Sequence, residues 1–192
     1  LKQNPYLNIN IENYGVITNK TIFAIQTNKL NGYNNYFKTF INGKVRNTYR
    51  KAIKNKYKFE LLNMKKNLLK EKKFIDLYNF TMKKVNASKY YFFNQNYYNE
   101  LEKIKSSYLS IIKNENDNII GASIIFEHNN FLHYHLSCNN GESSCITNFL
   151  LLNVVEKLGK NKIFILGGGL KDNDPLFKFK KKLSNNEYKY TI

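Results

Sequence analysis

The sequence predicts a mixed α+β domain built on a mixed, mostly antiparallel central sheet flanked by helices. Three observations predict it. Apolar residues make up 42% of the 192 residues, enough for a chain of this length to bury a sizeable core. From residue 71 onward, stretches of helical and strand period follow one another as helix, helix, three strands, helix, strand, helix, strand. The three consecutive strands are joined by short Asn-rich turns, which reads as an antiparallel meander.

Taken in order, residues 9–13, 14–18 and 21–26 read as short strands separated by Asn-rich turns. Residues 33–56 read as one helix, because Tyr36, Phe37, Phe40, Ile41, Val45, Tyr49, Ala52 and Ile53 recur at helical spacing. Arg46, Arg50 and Lys54 stand four apart on that helix and share a face. Residues 57–64 read as a strand. The charged stretch 67–71 marks the expected domain boundary, dividing residues 1–66 from residues 67–192. A helix over 71–86 places Phe74, Leu77, Tyr78, Met82 and Val85 on one side. The aromatic run Tyr90-Tyr91-Phe92-Phe93 follows, and Tyr97-Tyr98 opens a helix reaching residue 104. The meander strands are 108–113, 119–127 and 131–138. A Leu-rich helix over 147–158, a buried strand over 162–166, a helix over 174–183 and a closing strand over 187–192 complete the chain.

The net charge is +17, and Asn, Lys, Ile and Tyr are used heavily while Trp is absent. Part of that bias is what AT-rich coding produces on any surface. The charge is nevertheless uneven. Between Gly43 and Lys73 there are twelve Lys or Arg residues against two acidic ones, a density that attracts phosphate on nucleic acid, nucleotides or anionic lipid. The two cysteines, Cys138 and Cys145, lack a zinc-type spacing and are too few for a disulfide scaffold, so both are expected as reduced thiols of a cytoplasmic protein. No stretch approaches the roughly 20 apolar residues of a membrane span, and no signal peptide is visible. The chain begins at Leu1, which suggests a fragment or a trimmed product.

The residues most suggestive of chemistry lie near the C-terminus. The apolar run Ile163-Phe164-Ile165-Leu166 ends in Gly167-Gly168-Gly169. Glycines at a strand end let a ligand or another backbone come close, or simply make a flexible turn. Pro175 suits the first position of the next helix, and Asp172, Asn173 or Asp174 can cap it. On that helix Leu176, Phe179 and Leu183 form a stripe, and Lys180 falls within it. A lysine on a buried face is costly unless it has a partner or a task; the alternative is that its ammonium snorkels to solvent. In the strand Phe131-Leu132-His133-Tyr134-His135-Leu136, alternation puts His133 and His135 on one face and Tyr134 on the other. No third ligand of sensible spacing accompanies the two histidines, so half-buried histidines are expected, not a metal site. Residues 139–144 join this strand to the Leu-rich helix with one glycine and an unfavourable Glu142, a poor match to a coenzyme A pyrophosphate loop.

These pieces together resemble the Fem-type aminoacyltransferases of the GNAT superfamily. The resemblance is carried by the helix from Phe74 to Val85, the aromatics at 90–93 and 97–98, His133-Tyr134-His135-Leu136-Ser137, Asn148, Leu166-Gly167-Gly168-Gly169, and Asp174-Pro175-Leu176 through Phe179-Lys180. Val45-Arg46-Asn47-Thr48-Tyr49-Arg50-Lys51-Ala52 resembles the basic helix that ends the first of the family's two domains. The resemblance implies a GNAT-like fold, with residues 1–66 as the tail of a first domain and residues 67–192 as the C-terminal one. It implies transfer of an amino acid from aminoacyl-tRNA to an amine of a peptidoglycan-type precursor, without a resident cofactor. It further implies Lys180 and its neighbour Phe179 at the reacting acyl group. Tyr134, Tyr91, Tyr97, His133, Gly167, Gly168 and Gly169 would then lie toward substrate, and Arg46 and Arg50 toward tRNA, nucleotide diphosphate or an anionic membrane surface. Two other readings remain open at this point: an acyl-CoA-dependent N-acyltransferase on the same fold, and a non-catalytic basic module that binds RNA or another polyanion.

Overall fold

A computed structural model describes residues 19–64 and 68–191. The expected strands at 9–13 and 14–18 lie outside the described residues. The seven strands are β1 (Asn19–Ile25), β2 (Lys58–Asn63), β3 (Ser107–Lys113), β4 (Ile119–His128), β5 (Phe131–Asn139), β6 (Ile163–Gly167) and β7 (Asn186–Thr191). Five helices of eight residues or more accompany them: α1 (Gly43–Lys54), α2 (Leu68–Lys84), α3 (Gln95–Glu102), α4 (Cys145–Leu158) and α5 (Pro175–Leu183).

All seven strands form one sheet in the order β2-β3-β4-β5-β6-β1-β7. The meander β3-β4-β5 is antiparallel throughout. The connection from β5 to β6 runs through α4, long enough to bring β6 back parallel to β5. β1 then lies between β6 and β7, antiparallel to both. Residues 19–63, on the far side of the expected boundary, thus supply β1 and β2 to the same sheet as residues 107–191.

Both faces are covered. On one face, Val45 and Ala52 of α1, Phe149 to Leu152 of α4, and Phe177 and Leu183 of α5 pack with Phe23, Ile25, Leu132 and Phe164. On the other, Phe74 and Tyr78 of α2 and Tyr98 and Leu101 of α3 pack with Leu109, Ile111, Ile124, Leu136 and Cys138. Helix α4 is buried over most of its circumference, which is why its Leu-rich sequence shows little amphipathic bias.

The stretch expected as one helix over 33–56 is two. The chain turns helically through Tyr33–Asn35 and Tyr36–Phe40, breaks, and resumes as α1. Ile41 at the break is extended and fully buried, and the Asn42 side chain accepts from the Val45 amide at 3.0 Å, capping α1. Tyr36, also fully buried, donates its hydroxyl to the Leu183 carbonyl and ties this segment to the end of α5.

Strand β5 carries one irregularity. Ile124 pairs with Leu136 and Ile125 with Tyr134, so His135 is the extra residue of a β-bulge. The bulge shifts the phase of β5. Leu132 and Tyr134 belong to the α4 face, whereas Leu136 and Cys138 belong to the α2 face.

Candidate functional site

The parallel ladder between β5 and β6 comprises three residue pairs, Phe131 with Ile163, Leu132 with Phe164 and His133 with Ile165. Past that point β5 continues to Asn139 while β6 ends at Gly167, and the two strands part. Of the residues expected from sequence, His133, Gly167, Gly168, Gly169 and Lys180 gather at this parting.

The three glycines meet three separate demands. Gly167 has φ +74°, a left-handed conformation that glycine adopts without steric cost. Gly168 passes so close to the Thr21 carbonyl of β1 that a methyl group there would overlap it. At Gly169 a methyl group would sit 2.7 Å from Asp174 Oδ1 and 2.8 Å from the Lys171 carbonyl. The close approach at Gly168 is therefore made by another strand.

Asp174 builds the next corner. Its Oδ1 accepts from the Phe177 amide at 2.6 Å, capping α5, and its Oδ2 accepts from the amides of Leu170 and Lys171 at 2.7 and 3.0 Å. These amide bonds hold its carboxyl below the usual carboxylate range. The cap sets the phase of α5 differently from the expected stripe. Phe177, Lys180 and Leu183 face inward, Leu176 is exposed and Phe179 is half-buried. Phe177 stands edge-on to Phe23 with ring centres 4.7 Å apart, which pins the first turn of α5 to β1.

Lys180 is thereby carried inward. It is 9% exposed, and its ammonium donates to the Gly168 carbonyl at 2.7 Å. The snorkelling alternative does not hold. Among the described residues no carboxylate comes within 4 Å of this ammonium. Burial lowers its pKa to about 8, partly opposed by the Asp174 carboxylate. At neutral pH it remains mainly protonated, a fixed and under-neutralised cation at the end of β6.

His133 pairs with Ile165 of β6, two residues before Gly167, and feels this charge. Partial burial and the Lys180 ammonium both lower its pKa, so the imidazole is neutral near pH 7 while its edge stays exposed. Its ring lies over Phe126 at 6.3 Å and beside His135 at 5.8 Å, so the two histidines share a face as alternation predicts. His135 was not among the expected site residues. The Tyr97 hydroxyl is hydrogen-bonded to its Nε2, and burial with the neighbouring His133 lowers its pKa to about 4. Tyr97 itself stacks on Phe93 at 4.0 Å. Contacts run from Phe93 through Tyr97 and His135 to His133, and His133 in turn feels the Lys180 charge.

The other expected residues lie apart from this series of contacts. Tyr134 points into the α4-side core, its ring edge-on to Phe164 at 6.3 Å and its hydroxyl bonded to Ser137. Tyr91 sits in the 3₁₀ turn Lys89–Tyr91, edge-on to Tyr90. Arg46 is committed to its own chain, donating to the carbonyls of Lys38 and Ile41. Arg50 donates to Asn47 Oδ1 at 3.0 Å. Of the surrounding basic run, Lys56 and Lys58 pair with Glu115 and Asp117 of the β3–β4 turn. Asn148 bridges helices, donating to Thr48 Oγ1 at 2.9 Å.

The loop after β5 is also occupied. The Gly141 amide donates to Asn139 Oδ1 at 2.9 Å and the Glu142 amide to Asn140 Oδ1 at 3.0 Å. These two amides are thus turned to their own loop instead of outward at a pyrophosphate.

No family model and no curated protein matches the chain in sequence. Solved structures do match its fold. FemX aligns with a TM-score of 0.68 at 11% identity, over 89% of this chain and 61% of that one. The C-terminal domain of an assigned lysylphosphatidylglycerol synthetase from Agrobacterium fabrum aligns with a TM-score of 0.65 at 11% identity, over 91% of this chain and 60% of that one. L-PGS from Bacillus licheniformis aligns with a TM-score of 0.55 at 10% identity, over 91% and 60% respectively. The chain spans about three-fifths of the length of each. The expected α+β, GNAT-like fold is the fold observed.

Proposed function

We propose that this chain carries an aminoacyl-transferring site in which Lys180 stabilises the oxyanion formed when an amine attacks an acyl ester. The observation that carries the reading is the buried Lys180 ammonium, held by the Gly168 carbonyl where β5 and β6 part. Attack of a neutral amine on the ester carbon forms the C–N bond and places a negative charge on the former carbonyl oxygen; collapse then breaks the ester C–O bond and releases the tRNA hydroxyl, which takes up the proton that the nitrogen loses. A fixed cation in a partly dehydrated site stabilises that charge more than it stabilises the neutral ester, which is the requirement for lowering the barrier. The ester is already activated, so no Ser-His-Asp or Cys-His set is needed. The Gly168 carbonyl fixes the ammonium without neutralising it.

FemX and the lysylphosphatidylglycerol synthetase domain share this fold. From that likeness we extend to this chain an aminoacyl-tRNA donor and an amine or hydroxyl acceptor belonging to the cell envelope. The acyl-CoA reading is the weaker one, because the amides at Gly141 and Glu142 are already taken by Asn139 and Asn140.

The test is transfer of a radiolabelled amino acid from aminoacyl-tRNA to a UDP-linked peptidoglycan precursor or to phosphatidylglycerol, by the wild type and by Lys180→Met. Loss of about 10²–10³ in rate with an unchanged far-ultraviolet circular dichroism spectrum is the expected result. Full activity in Lys180→Met removes Lys180 from the chemistry. A thermal shift with acyl-CoA, and none with the other ligands, replaces the donor.

A further inference from the structure

Strands β5 and β6 are parallel, so the C-terminal end of β5 and the glycine turn after β6 lie at the same end of the sheet. Helix α2 also finishes there. Thr81 Oγ1 donates to the Asn139 carbonyl at 2.9 Å and accepts from the Asn139 amide at 3.1 Å. Helix α2 then stops sharply, with the Ala87 amide bonded to the Met82 carbonyl and Asn86 in a left-handed conformation.

Two rims thus stand at this end of the sheet, one after α2 and one at the glycine turn, and both present apolar side chains to water. On one, Val85 is 62% and Tyr90 79% exposed, and Phe92 follows at the end of its turn. On the other, Leu170 is 67% exposed, immediately after the glycines, and Leu176 is exposed at the start of α5. The apolar residues are separate tips, interleaved with lysines: Lys83 and Lys89 on the first rim, Lys171 and Lys178 on the second. From Leu77 to Asn99 the sequence holds three lysines and no acidic residue.

We infer that this end of the sheet docks on an anionic lipid bilayer, with the candidate site facing the headgroups. The chemistry fits that partner. Aromatic and aliphatic tips on short turns enter the interfacial zone, tyrosine keeps its hydroxyl among the headgroups, and lysine stems lie on the apolar boundary with their ammonium groups at the phosphates. Nucleic acid would use the lysines and leave Val85 and Leu170 with no apolar contact. Docking does not depend on the transfer reaction, and binding is measured separately from it.

The experiment is sedimentation of the full chain with phosphatidylcholine vesicles, with and without phosphatidylglycerol, over a range of salt. Binding is expected only with phosphatidylglycerol and weakens as salt rises. Lys83→Gln and Lys89→Gln each reduce it on the order of fivefold. Val85→Asp with Tyr90→Ser abolishes it. Lys105→Gln and Lys160→Gln, exposed at the opposite end of the sheet, leave it unchanged. These positions are exposed, so circular dichroism should show every variant folded. Absence of binding overturns the inference, as does equal binding to neutral vesicles or binding that survives Val85→Asp with Tyr90→Ser. Competition by a homopolymeric RNA that depends on the lysines and ignores Val85 and Tyr90 reassigns the surface to nucleic acid.

Discussion

The ammonium of Lys180 donates to the carbonyl of Gly168, twelve residues earlier in the chain, across 2.7 Å. A carbonyl dipole orients a cation without cancelling it, so the charge stays available to a second anionic group. The arrangement costs folding energy, and that cost is measurable.

Lys180→Met is expected to raise stability at pH 7. The folded pKa of about 8 lies below the ordinary 10.5. Between those values the unfolded chain binds more protons than the folded one, so stability increases with pH across the window. The contribution is fully present above 10.5 and is lost as pH falls through 8. At pH 7 the buried charge costs about 3 kcal/mol, and the hydrogen bond lost with it returns about 1 kcal/mol. The variant should melt a few degrees above the wild type at pH 7 and lose that advantage by pH 10, in thermal unfolding at several pH values. A variant less stable than wild type at pH 7 contradicts this account.

Acid should act through His135. Its folded pKa of about 4 lies below the ordinary 6.5, so its contribution to stability is complete above pH 6.5 and is lost as pH falls through 4. The expected loss is about 2 kcal/mol after allowance for partial solvent screening. Nuclear magnetic resonance titration should show His135 neutral down to about pH 4. His135→Gln should flatten denaturation curves over the same range, and an unchanged pH profile would exclude the assignment.

Two glycines should respond in opposite directions. Gly168→Ala forces a methyl group onto the Thr21 carbonyl and pushes β1 away from β6, a cost of about 2–4 kcal/mol in urea unfolding. Gly43→Ala, at the first position of α1 with open space around it, should be neutral or stabilise by about 0.5 kcal/mol. Equal effects would mean that the crowding at Gly168 relaxes freely.

Asn42→Ala tests the break that divides residues 33–54. Loss of its bond to the Val45 amide should cost about 1 kcal/mol in chemical denaturation, because Ile41 is buried and the segment cannot straighten into one helix. No loss would place the cap elsewhere.

Much of the architecture was legible because it rests on local period. The boundaries of β3, β4, β5 and α4 fall within about two residues of the positions read from the apolar runs and the Asn-rich turns between them. Lys180 was legible because a lysine in an apolar stripe breaks that pattern. The stripe itself was misassigned. Leu176 and Phe177 are adjacent, and only the Asp174 cap and the contact of Phe177 with Phe23 decide which one turns inward. The helix break at Asn42 was hidden because apolar spacing continues across it. The bulge at His135 leaves no trace, since the His-Tyr-His alternation reads the same with or without it. The partner of Gly168 was beyond reach for another reason: Thr21 lies far away in sequence, and no local pattern encodes that meeting.

That meeting also dictates an order of assembly. β1, the first described strand, is enclosed by β6 and β7, the last two. On the ribosome β1 must wait with both edges open until β6 and β7 have emerged, while the local meander β3-β4-β5 can close on its own. The glycine turn acquires its wall, the Thr21 carbonyl, only when β1 and β6 come together. Closure around the glycine turn thus requires a long-range pairing that the meander does not, and deleting β1 would open that turn while leaving β3-β4-β5 paired.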